Sequence, residues 1–103
     1  SSTYIKCTNK STGKVFTCNP TTSYVGYGYS NSSGSVGCLQ GMFNYLGAGL
    51  AVDGLFGPKT YQKIIEFQQM NSNILTVDGI AGPKTFAWAV ESVFGVVQPI
   101  SGE

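Results

Sequence analysis

Val52-Asp53-Gly54-Leu55-Phe56-Gly57-Pro58-Lys59-Thr60 returns 25 residues later as Val77-Asp78-Gly79-Ile80-Ala81-Gly82-Pro83-Lys84-Thr85, with seven of nine positions identical. Agreement of this kind in so short a chain marks one supersecondary unit used twice. Asp followed by Gly specifies a tight bend, because the carboxylate accepts nearby backbone N–H groups while Gly takes a positive φ that side chains resist. Gly-Pro then opens a helix, since proline at the first helical position gives up only an N–H that has no intrahelical partner. Asp53, Gly54, Asp78 and Gly79 are therefore expected as structural turn residues, with Leu55 and Ile80 plugging the core beneath them. Phe56 against Ala81 is the main asymmetry between the copies.

Working outward from the two turns, the punctuation predicts three helices. The first covers about 35–46, with Val36, Leu39, Phe43 and Leu46 three or four residues apart and Gly47 placed to end it. The second covers about 58–70 and buries Tyr61, Ile64, Ile65 and Phe67 or Gln68; the third covers about 83–93, with Phe86, Ala89, Val90 and Val93 inward. The expected fold is mainly α: a compact three-helix orthogonal bundle with two equivalent Val-Asp-Gly turns, preceded by a short N-terminal β-hairpin.

The domain division expected is 1–34 for the hairpin with a Tyr/Gly/Ser-rich loop, and 35–103 for the helical part. Residues 3–8 and 14–18 alternate and are rich in β-branched side chains, and they flank Asn9-Lys10-Ser11-Thr12-Gly13, which has the composition of a hairpin loop. If Cys7 faces Cys18, the register centres on Thr12-Gly13 and puts Ile5, Cys7, Phe16 and Cys18 on one face, docked on the helices. Cys7 and Cys18 are the disulfide candidate, a pair that implies an oxidising compartment. Cys38 makes the count odd, so at least one thiol is left over and the connectivity stays open. Between 19 and 34 the composition is that of an irregular linker; Tyr24, Tyr27 and Tyr29 within it either stack on sugar rings or cap the core from outside.

Composition removes several classes of function. Charged residues make up 11% of the chain and the net charge is +1, with six scattered cations, too few and too dispersed to neutralise a nucleic-acid backbone. The apolar runs fall far short of the ~20 residues of a membrane span. With no histidine, there is no imidazole base for a Ser or Cys nucleophile and no His-bearing zinc site. Neither metal nor cofactor is expected, and Cys38 reads as a packed small hydrophobe. The opening residues lack a charged-then-apolar signal pattern, so the chain reads as mature, processed or excised from a longer protein.

Val36-Gly37-Cys38-Leu39-Gln40, Asn44-Tyr45-Leu46-Gly47, the doubled Val-Asp-Gly-x-x-Gly-Pro-Lys-Thr segment and Phe67-Gln68 together give the chain a close resemblance to the peptidoglycan-binding-like domain, type 1. That resemblance implies a non-catalytic three-helix module, secreted or held at the cell wall, that tethers wall hydrolases to bacterial peptidoglycan. Gln40 and Gln68, in such modules, satisfy backbone groups between helices. A related helical domain serves as the propeptide of matrix metalloproteinases, but its cysteine-switch segment is missing here. Two departures stand out: Lys63 replaces a small apolar residue, and Gly37 and Gly41 weaken the first helix, by up to about 1 kcal/mol each, and either allow close approach by the hairpin or another domain or mark an unusual groove.

The expected partners are therefore peptidoglycan, through its glycan strand or stem peptide, and a covalently linked or associated hydrolase. The candidate ligand-binding patch is Tyr45, Phe56, Lys59, Tyr61 and Gln62, with Lys59 near a helix N-terminus as the group to meet a stem-peptide carboxylate. The alternative reading is a protein-interaction or inhibitory domain that covers a partner enzyme.

Overall fold

The computed structural model describes residues 4–94; the expected domain's tail, 95–103, and the start of the expected first strand at Thr3 lie outside them. Two strands, β1 (Ile5–Thr8) and β2 (Val15–Cys18), precede three helices, α1 (Ser33–Tyr45), α2 (Pro58–Met70) and α3 (Pro83–Phe94). The fold is mainly helical, with a two-stranded antiparallel sheet at its start. Helix α1 is central, packing against both strands and against α3.

The hairpin forms around Asn9. Its N–H donates to the Lys14 carbonyl at 2.8 Å, its carbonyl accepts from Gly13 at 2.7 Å, and its side-chain oxygen accepts from Ser11. Gly13 supplies the positive φ of 75°. This closure sets the pairing to Ile5 with Cys18 and Cys7 with Phe16. The expected opposition of Cys7 and Cys18 is thus corrected by two residues, the three cysteines being free thiols. Because the shift is even, Ile5, Cys7, Phe16 and Cys18 still share the inward face.

That face docks on α1 through glycine. A Cβ on Gly37 would run into the ring of Phe16, and one on Gly34 into the carbonyl of Thr17. Phe16 is only 2% exposed as a result. The cost in helix propensity at Gly37 is thereby exchanged for a strand laid flat on the helix. Asn9 extends the docking, its Nδ2 donating to the Val52 carbonyl at the entrance to the first turn, 3.0 Å away.

Helix ends follow the sequence closely. Gly47, at φ 95°, stops α1, and the Asn44 side chain bonds both the N–H and the carbonyl of Leu50, folding the loop back toward the first turn. Pro58 and Pro83 begin α2 and α3. Asn71 ends α2, where its Nδ2 caps the Phe67 carbonyl and its Oδ1 accepts from Trp88 Nε1 of α3 at 2.8 Å. Val36, Leu39, Phe43, Ile64, Phe67, Phe86 and Ala89 form the core between the helices, joined by Val25 from the linker. Leu46 departs from expectation at 45% exposed, lying beyond the last turn of α1.

Candidate functional site

The two turns are built alike, atom for atom, around two buried glutamines. Gln40 Oε1 accepts the N–H groups of Asp53 and Gly54 at 3.1 and 2.9 Å; its Nε2 donates to Asp53 Oδ1, the Leu55 carbonyl and Thr60 Oγ1. Gln68 repeats each bond with Asp78, Gly79, Ile80 and Thr85, at 3.1 and 2.9 Å to the same two N–H groups. Asp53 Oδ1 and Asp78 Oδ1 also accept from the residue two ahead, at 3.0 Å in both. Gly54 and Gly79 take φ of 75° and 73°. Each glutamine amide thus uses its donor and acceptor ends together on a segment with no regular ladder of its own, which is how a buried amide is satisfied.

The same bonds correct the expected placement of Leu55. With its N–H turned in toward Asp53, its side chain points out and is 69% exposed. What lies beneath the first turn is the glutamine and the edge of Phe16, whose Cε1 would sit 2.9 Å from a Cβ on Gly54.

Residues 19–34, expected as a linker outside the core, cross the second turn. Val25 and Ala81 form an isolated antiparallel bridge, with N–H to carbonyl distances of 3.0 and 2.8 Å. Gly26 presses on Gly79 and Ile80, and Asn31 Oδ1 accepts the Gly26 N–H at 2.8 Å. Ala81 is fully buried under this segment, whereas its counterpart Phe56 is only partly covered. The asymmetry of the repeat therefore has a steric cause: one turn is bridged directly by a crossing backbone segment and needs a small residue, the other is not.

The crossing segment delivers three tyrosines to the surface. Tyr24 and Tyr29 stack with centroids 5.3 Å apart and planes at 10°. They flank an open cleft of about 280 Å³ lined also by Leu75, Thr76, Asp78 and Lys84 at the second turn and the start of α3. Tyr27 meets Phe56 edge-on and Tyr61 at a tilt, both at 5.0 Å. The Tyr61 ring in turn occupies the space a Cβ on Gly79 would fill, so the aromatic trio adjoins the turn that lines the cleft.

Of the patch expected from sequence, Phe56 and Tyr61 are brought together, with Tyr27 as the ring between them. Lys59 and Gln62 lie exposed on α2, and Gln62 Nε2 donates to Glu66 at 3.3 Å. Tyr45 is 73% exposed at the far end of α1 and, among the described residues, has no ring contact with the trio. Glu66 is held below the usual carboxylate range, first by the hydrogen bond from Lys63 and then by that from Gln62. The cleft residues Thr76, Asp78 and Lys84 were not singled out as contacts from sequence, although Lys84 is the repeat equivalent of Lys59 and the duplication carries that signal.

The cleft offers uncharged ring faces, the phenolic hydroxyls, a threonine hydroxyl, a carboxylate with one oxygen committed to its own turn, and one lysine. Such a set binds by stacking and hydrogen bonding. Among the described residues no group of three His, Cys, Asp or Glu side chains is placed to hold a metal ion, and no helix is long and apolar enough to cross a membrane.

Comparison with known proteins places this architecture. The sequence profile of the peptidoglycan binding domain family matches residues 32–88, which takes in α1, both turns, α2 and the first half of α3. No curated protein sequence matches significantly. The chain superposes on the crystal structure of a peptidoglycan-binding protein from Clostridioides difficile, solved in complex with glutamine hydroxamate, with a TM-score of 0.67 and 28% sequence identity over 87% of this chain. The match spans 58% of that protein's length. With the family profile running over both glutamine-locked turns and more than half of the sequence, the chain belongs to the peptidoglycan binding domain family.

Proposed function

We propose that this chain binds bacterial peptidoglycan without cutting it, at the cell wall, and holds a wall hydrolase against its substrate. The observation that carries this reading is the family match over 32–88, the residues that the two glutamine-locked turns organise. The surface best suited to the ligand is the cleft beside Tyr24 and Tyr29, continued by Tyr27, Phe56 and Tyr61. A pyranose ring presents its C–H face to a tyrosine and its acetamido group and hydroxyls to Thr76 and Asp78; Lys84 and Lys59 suit stem-peptide carboxylates. Tyr45, which makes no ring contact with these among the described residues, belongs to this surface least. The glutamine-locked turns keep the platform rigid, so little ordering entropy opposes binding.

Retention on purified sacculi tests the reading. The chain is expected to pellet with sacculi, and to do so at moderate salt, because so little charge is available to drive the association. Loss of the stacked pair in Tyr24→Ala/Tyr29→Ala is expected to weaken retention about tenfold, equivalent to ~1.4 kcal/mol. Failure of sacculi to retain the unaltered chain at any ionic strength overturns the proposal. Hydrolase targeting is tested separately, by fusing the chain to a muramidase and comparing turnover on intact sacculi with turnover on soluble fragments; a gain confined to sacculi supports it, and equal rates refute it.

A further inference from the structure

Three thiols from three elements converge beneath the hairpin. Cys38, fully buried on α1, lies against the strand pair that carries Cys7 on β1 and Cys18 on β2. Its Sγ is 3.2 Å from the Phe16 carbonyl and 4.0 Å from that of Ile5, the residues that pair with Cys7 and Cys18 across the sheet. Cys7 Sγ in turn is 3.9 Å from the Cys38 carbonyl. One helical turn beyond Cys38, a Cβ on Gly41 would sit 3.7 Å from the Cβ of Cys7, so β1 lies directly on α1 at this level.

We propose that Cys7 and Cys38 form a modification site, a disulfide that fastens the hairpin to α1 when the chain meets a small-molecule disulfide, while Cys18 stays a thiol. The three cysteines differ in access and in chemistry. Cys7 is partly exposed and can be reached from solvent; Cys18 is 3% exposed and Cys38 fully buried. The contact with Cys38 lowers the Cys7 and Cys18 thiols alike below their ordinary value and raises Cys38, so access, not acidity, separates Cys7 from Cys18. Cys7 is therefore the group that begins the exchange.

The reaction balances in two displacements. The Cys7 thiolate attacks one sulfur of oxidised glutathione and forms a mixed disulfide, expelling one glutathione thiolate that takes up the proton Cys7 lost. The Cys38 thiol then gives up its proton as its sulfur attacks Cys7 Sγ, breaking the mixed disulfide and releasing the second glutathione as thiol. Two protein thiols are oxidised by two electrons, and one glutathione disulfide is reduced. The closed loop spans 31 residues and includes the Phe16–Gly37 contact and Asn9, which reaches the first turn through Val52. The inference stands apart from peptidoglycan binding and holds or fails without it.

The test is to incubate the full chain with oxidised glutathione, alkylate the remaining thiols under denaturing conditions, and map linked peptides by mass spectrometry. Trypsin separates Cys7 from Cys18, and chymotryptic cleavage at Tyr24–Tyr29 separates Cys18 from Cys38. The expected product is two hydrogens lighter, alkylated once at Cys18, and yields a Cys7–Cys38 peptide pair. Reduction is expected to lower its Tm by roughly 10–20 °C. Cys18→Ser should still cross-link, and Cys38→Ser should stop at a glutathione adduct on Cys7. Three alkylated cysteines, a persistent adduct in the unaltered chain, or a link that contains Cys18 each overturns the assignment, and the mapping of the unaltered chain decides it even if a variant fails to fold.

Discussion

Replacing Gln68 by leucine removes an amide that is 1% exposed and makes five hydrogen bonds, four to the second turn and one to Thr85 at the start of α3. Leucine has nearly the same reach, so the loss is one of polar partners more than of volume. Asp78 is solvent-exposed and its N–H can be rehydrated; the Gly79 N–H is buried and the Ile80 carbonyl half-buried, and these two lose their partner where water does not easily follow. At ~1–3 kcal/mol for each orphaned group, the expected cost is about 2–6 kcal/mol. That is a large share of the ~5–15 kcal/mol by which a domain of this size is stable. Urea titration followed by Trp88 fluorescence should show the midpoint falling while the slope m is unchanged, and a thermal scan should show Tm lower by about 10 °C or more. Gln40→Leu, facing the same constellation at the first turn, should cost a similar amount. If either substitution costs under about 1 kcal/mol, the glutamines do not lock the turns and the account of a rigid platform is wrong.

Other perturbations follow from single contacts. Gly37→Ala gains about 1 kcal/mol of helix propensity but drives a methyl into the Phe16 ring, so a net loss of ~1–2 kcal/mol is expected, and Phe16→Leu in the same chain should recover part of it in a denaturation cycle. Ala81→Phe, which makes the second turn match the first, should break the Val25 bridge, seen as faster amide exchange at Val25 and Ala81. The Glu66 carboxylate should titrate below its ordinary 4.5, and Lys63→Ala should return it upward, as read by NMR. Since its folded value is the depressed one, the stabilisation it gives is present above the unfolded value and is lost as pH falls through the folded one. Tyr61→Ala should open space over Gly79 and weaken sacculus retention less than the Tyr24→Ala/Tyr29→Ala pair does.

The helices and both turns were legible because their signals are local. Gly-Pro fixed the starts of α2 and α3, Gly47 fixed the end of α1, and the repeat announced two similar bends. Hairpin register was not legible from cysteine spacing, because it depends on which residue closes the loop, and Asn9 closes it two residues away from the symmetric choice. Leu55 misled because hydrophobicity says nothing about the direction in which a turn aims a side chain; the Asp53 bond to its N–H decides that. Of the candidate patch, the nearness of Phe56 to Tyr61 was legible. Phe56 and Tyr61 stand out from their place in the repeat, but their contact with Tyr27 and the cleft beside Tyr24 and Tyr29 come from residues 19–34 crossing the second turn, a long-range event with no periodic pattern. The glutamines themselves are 28 residues apart where the turns are 25 apart, so simple alignment of the repeat does not superimpose them.

The bridge between Val25 and Ala81 joins positions 56 apart in the chain. Closing a loop of that length carries an entropy cost that only the assembled turn repays. The arrangement of Tyr24, Tyr27 and Tyr29 against the second turn therefore exists only where these two distant segments have met, and a fragment that stops short of Ala81 lacks the bridge that carries them.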